Sequence, residues 1–76
     1  MTTRTLKSEV TGKVLQRVAA PGVEVEEGQD LMILESMKME IPVQAPCKGT
    51  LLDVLVQEGA QVIAGQPLMT LRADGG

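Results

Sequence analysis

Apolar residues in this chain arrive in short runs separated by Gly, Pro and charged residues, and no segment sustains a 3.6-residue spacing. Residues 5–10 predict a first edge strand, with Thr, Leu and Val suited to a pleated surface and Gly12 ending it. Residues 13–18 predict a second, apolar at Val14, Leu15 and Val18, with Gln16 and Arg17 facing solvent. Ala19-Ala20-Pro21-Gly22 reads as a turn, because Pro presets φ and Gly accepts positive φ. Residues 23–26 alternate Val and Glu as a short half-buried strand would, and Glu27-Gly28-Gln29-Asp30 turns again. The apolar run 31–34 is too short for a helix and predicts a buried strand. Residues 40–45 pair back on it, and Pro42 there needs an edge or non-hydrogen-bonding position because it has no N–H. Pro46-Cys47-Lys48-Gly49 then turns into strands at 50–56, 60–63 and 67–72, and Asp74-Gly75-Gly76 predicts a frayed end.

The later strands repeat the earlier ones. An offset of 37 residues lays Gly12 on Gly49, Leu15 on Leu52, Gly22 on Gly59, Val25 on Val62 and Gly28 on Gly65. It also lays Gln29 on Gln66, Leu31 on Leu68, Met32 on Met69 and Leu34 on Leu71, and no gap is needed. Halves of this size cannot each bury a core, so the repeat predicts two similar half-domains packed about a pseudo-two-fold axis. Short strands with Gly or Pro turns at roughly eight- to twelve-residue spacing predict an all-β fold, a small sandwich or flattened barrel.

Between the halves lies Glu35-Ser36-Met37-Lys38-Met39-Glu40, which the flanking strands make the tip of a hairpin. Two-residue hairpin turns favour Asn-Gly or Asp-Gly for their positive φ, so Met and Lys are not chosen there for backbone ease. A local rule broken at one position and obeyed elsewhere points to function. Lys38 offers an exposed amine. Met37 and Met39 have little to pack against at a tip, whereas Met32 and Met69 pack on the sheet face. Glu35 and Glu40, beside the tip, are candidates for docking onto a partner.

Composition narrows the chemistry. A 76-residue chain is a single domain over residues 1–76, and its core supplies only about 3–5 kcal/mol of net stability. With 43% hydrophobic and 22% charged residues it is a folding sequence, and its core is built without Phe, Tyr or Trp. A net charge of −3, no basic cluster and no stacking aromatics argue against a nucleic-acid or anionic-membrane surface. No histidine is present for a metal site or a general-base pair, and the single Cys47 reads as a small apolar filler. Glu24, Glu26 and Glu27 read as a solvated face. No catalytic or metal-binding residue is expected, and an enzyme is the least favoured reading. Met1-Thr2-Thr3-Arg4 is followed by no long apolar run, so the expected location is cytoplasmic.

Met37-Lys38-Met39 resembles the Met-Lys-Met signature of biotinyl domains, the biotin carboxyl carriers of biotin-dependent carboxylases. The resemblance spans nearly the whole chain, because motif and repeat agree on where Lys38 sits. It implies two four-stranded antiparallel sheets related by pseudo-two-fold symmetry, with biotin joined to Lys38 through an amide and Met37 and Met39 as flanking recognition residues. A free alkyl amine is protonated and non-nucleophilic at neutral pH, so a separate biotin protein ligase would bind the tip and supply biotinyl-adenylate. The resemblance further implies a biotin carboxylase using ATP and bicarbonate, and a carboxyltransferase acting on an acyl-CoA such as acetyl-CoA, as in fatty acid biosynthesis. The domain would be a monomeric carrier and no enzyme itself. Ser36 stands where many such domains have Ala, and the gapless repeat leaves no room for the thumb insertion some carriers possess. No Ala/Pro-rich linker precedes it, so it is either a short free-standing carrier beginning at Met1 or a domain of a longer carboxylase. The alternative is a lipoyl domain of a 2-oxoacid dehydrogenase-type complex, which shares the fold but has a tip that typically runs Asp-Lys-Ala; Met37 and Met39 argue against it. A structural domain of the same fold in an export-system adaptor is a further rival.

Overall fold

The computed structural model describes residues 2–74, which form eight strands. These are β1 (Thr2–Lys7), β2 (Gly12–Arg17), β3 (Glu24–Val25), β4 (Asp30–Ser36), β5 (Met39–Gln44), β6 (Gly49–Val54), β7 (Gln61–Val62) and β8 (Pro67–Ala73). They make two antiparallel four-stranded sheets, ordered β1-β8-β6-β3 and β5-β4-β2-β7. The expected all-β sandwich is present, and the 37-residue offset carries each strand of one sheet onto a strand of the other. It extends to β1 and β5, whose sequences share no pattern.

The halves do not simply pack face to face. Each sheet takes two strands from β1–β4 and two from β5–β8, so the duplicated units interlock. The core between the sheets is aliphatic: Val14, Val25, Leu31, Met32, Leu34 and their offset counterparts Leu51, Val62, Leu68, Met69 and Leu71 are all buried. Met32 and Met69 are therefore packing residues, and the free Cys47 leans on the same cluster as a filler.

Several strand assignments shift. The first strand ends at Lys7, five residues before Gly12. There, buried Ser8 bonds through its backbone to Gln66 and Gly65, and its Oγ accepts from Val10 N–H at 3.2 Å. Gly12 instead opens β2, and a Cβ there would overlap the carbonyl oxygen of Glu35; a Cβ at Gly49 would overlap that of Arg72. Leu15 and Val18, expected inside, are exposed. The register between β2 and β4 slips between Val14 and Gln16, so Leu15 is the extra residue of a bulge and turns outward, and Val18 lies past the strand's end. The same slip falls between Leu51 and Asp53. A further pair of slips, between Asp30 and Met32 and between Leu6 and Lys7, lets adjacent Leu31 and Met32, and adjacent Leu68 and Met69, both point inward. That is why these runs are continuously apolar. Pro42 sits on β5, an edge strand, as its missing N–H requires. Asp74 donates its N–H to Lys48 O at 3.0 Å, so it is tied down; Gly75 and Gly76 of the expected frayed end lie outside the described residues.

Candidate functional site

β4 and β5 form a tight hairpin whose last paired residues are Ser36 and Met39, leaving Met37 and Lys38 as a two-residue turn. Their φ angles, 53° and 65°, are both left-handed, as a type I′ turn requires. All other described residues with positive φ are glycines. An L side chain in this region costs roughly 1–2 kcal/mol, so the turn holds two strained residues where Asn-Gly would relieve both. Met37 is 91% exposed, Met39 is 64% exposed, and Lys38 is exposed between them. The tip is therefore bare, with two thioether side chains flanking one amine.

One rung below, Glu35 and Glu40 stand directly opposite each other, and both are exposed. Like charges across a strand pair are destabilising, so the stem carries a second local cost beside the strained turn. On the other side of β4, Glu35 is paired with Lys13 of β2.

The hairpin is anchored at its shoulder. Ser36 Oγ donates to Thr11 O at 2.8 Å, and Thr11 Oγ1 accepts from Ala64 N–H at 3.2 Å. Thr11 thus joins the stem to the turn that follows β7. Gly12, lacking a side chain, lets β2 lie against the Glu35 carbonyl. Beside the amine these residues leave an open depression lined by Thr11, Gly12, Met37, Lys38 and Ile63 among others. Met37, Lys38, Met39, Glu35 and Glu40 are brought together as the sequence implies. Thr11 and Ile63 were not singled out, although the repeat held a signal for Ile63: its offset partner is Glu26.

A protein-family model described as biotin-requiring enzyme matches residues 4–71. The chain belongs to this family. It is similar to the biotin/lipoyl attachment protein of Bacillus subtilis (strain 168), with 37% identity over 67 residues covering 88% of this chain and 92% of that protein. It is also similar to pyruvate carboxylase of the same organism, 38% identical over 66 residues, covering 87% of this chain and 6% of the carboxylase. Among solved structures, that of a single-chain, multi-domain long-chain acyl-CoA carboxylase superposes with a TM-score of 0.90 at 32% identity, covering 96% of this chain and 7% of that one. The chain thus spans only a small part of the two carboxylases. It is a biotinyl domain, and biotin is its covalent cofactor. The residues present fit that group: an amide needs an accessible primary amine, and Lys38 holds one clear of the sheets, whereas Lys7 and Lys13 lie along strands and Lys48 adjoins one.

Proposed function

We propose that Lys38 is the biotin attachment residue and that the domain is a carrier serving a biotin-dependent carboxylase. The observation that carries this is the bare, strained Met37-Lys38 turn at one pole of a biotinyl domain. Attachment would proceed at a biotin protein ligase. The Nζ ammonium would give up one proton to the ligase's active site, and the free amine would attack the acyl carbon of biotinyl-adenylate; the C–N amide bond forms as the C–O bond to phosphate breaks, AMP leaves and the nitrogen loses a second proton. The amide resists hydrolysis, and the four lysine methylenes plus the acyl chain make a flexible arm rooted in a stiff hairpin. When bound, biotin supplies a ureido nitrogen that can hold a carboxyl group. The domain's own task is to present that arm to two sites, a biotin carboxylase and a carboxyltransferase, with an acyl-CoA as the proposed acceptor. Exposed methionines, flexible and polarizable, suit contact with more than one such partner. Cytoplasmic location and a monomeric state are part of the same reading.

Co-expression with a biotin protein ligase tests it. The intact mass should rise by one biotinyl group, the product should bind streptavidin, and Lys38→Arg should abolish both. A rise by a lipoyl group would establish the lipoyl carrier instead, a reading that Met37 and Met39 disfavour.

A further inference from the structure

The two poles of this domain share a backbone and differ in side chains. The offset that relates the halves places the turn at residues 63–66, beside Lys38, on the turn at residues 26–29 at the other pole. Both turns are closed alike: Gln29 Oε1 accepts from Glu26 N–H at 3.0 Å, and Gln66 Oε1 accepts from Ile63 N–H at 3.1 Å. Yet Glu26 and Glu27 on one become Ile63 and Ala64 on the other. Ile63 is 63% exposed and lines the depression beside the amine. Thr11 fastens this turn to the hairpin stem through Ala64 and Ser36. At the opposite pole Lys48 and Ala73 take the places of Thr11 and Ser36, and neither has a hydroxyl.

Single exposed apolar side chains are ordinary. Val18 and Leu55 are exposed too, but they are offset partners and so occur at both poles. Ile63 is different because the same backbone setting carries a carboxylate at the pole that has no lysine in a hairpin turn.

We propose that Ile63, positioned by Thr11, is a recognition contact for the enzyme that attaches biotin to Lys38. This rests on the attachment reading above. Reach and charge select this partner. Forming the amide at Nζ brings the modifying enzyme nearer the root of the arm, and so nearer Ile63, than chemistry on the finished cofactor requires of any partner that acts at the arm's far end. The enzyme's acyl donor is an adenylate with an anionic phosphate. Two carboxylates at 63 and 64, as at the opposite pole, would oppose its approach. The acids already near the tip, Glu35 and Glu40, face each other on the stem beneath the turn, and Ile63 and Ala64 keep two further carboxylates from joining them.

The test is the steady-state rate of biotin incorporation by a biotin protein ligase on the full chain, followed by intact mass. Ile63→Glu should raise KM for the domain about tenfold with kcat unchanged, the mark of a lost binding contact. Ile63→Leu should keep the parent KM, and Glu26→Ile, at the opposite pole, should leave it unaltered. Thr11→Val should raise KM by a smaller factor. Circular dichroism melting should show the parent Tm for Ile63→Glu, which lies on the surface. A parent-like KM for Ile63→Glu overturns the proposal, as does an effect confined to kcat. Absence of incorporation in the parent would refute attachment itself, a separate result.

Discussion

Met37 and Lys38 are the two described residues whose side chains oppose their own backbone conformation. Relieving one of them should stabilise the fold. Met37→Asn, which tolerates the left-handed region, is expected to add about 1 kcal/mol, a rise in Tm of about 4–8 °C for a domain of this size. Thermal melting checks it, and an unchanged or lower Tm would mean the turn is not strained. Glycine is needed for two distinct reasons, which mutation separates. Gly12→Ala would drive a methyl into the Glu35 carbonyl and should cost at least about 2 kcal/mol in urea unfolding. Gly22→Ala meets nothing within 4 Å and is opposed only by its φ of 89°, so about 1 kcal/mol is expected. The sequence showed that the tip breaks a turn rule, because that rule is local. It did not show the clasp through Thr11, whose partners lie 25 and 53 residues away.

At the level of strands, the hairpin stem sets Glu35 against Glu40 at the rung beneath the turn. Glu40→Lys should replace a repulsion with an attraction and stabilise the domain by about 0.5–1 kcal/mol, measured by chemical denaturation at low salt and shrinking as salt is added. No gain at low salt would show that the carboxylates do not feel one another. The strands themselves were legible from apolar runs and Gly or Pro punctuation, and their edges were not. Leu15 is apolar and adjoins Val14, so alternation alone cannot say that a bulge turns it outward. Ser8 ends β1 through bonds to a turn nearly sixty residues on, which no local pattern encodes.

Over the whole molecule, duplication predicts paired energetics. Leu31 and Leu68 are offset partners, both fully buried. Leu31→Ala and Leu68→Ala should each cost about 2–5 kcal/mol and match one another to within about 1 kcal/mol, as equilibrium unfolding would report. Unequal losses beyond that would mean the symmetry of the backbone does not extend to the packing. The repeat was visible from its matched Gly, Gln and apolar positions, but not that each sheet draws strands from both halves, since an offset relates positions without saying which strands become neighbours.

The pairing of Thr2 with Ala73 has a consequence for engineering. Under the offset that pair corresponds to Met39 and Ser36, the residues that flank the lysine turn. The outer ends of β1 and β8 therefore occupy the place of a second hairpin stem. With Met1 and residues 74–76 removed, two residues linking Ala73 to Thr2 would close the backbone into a ring, and a lysine among them would give one molecule a second graftable amine at the far end of its 37 Å length.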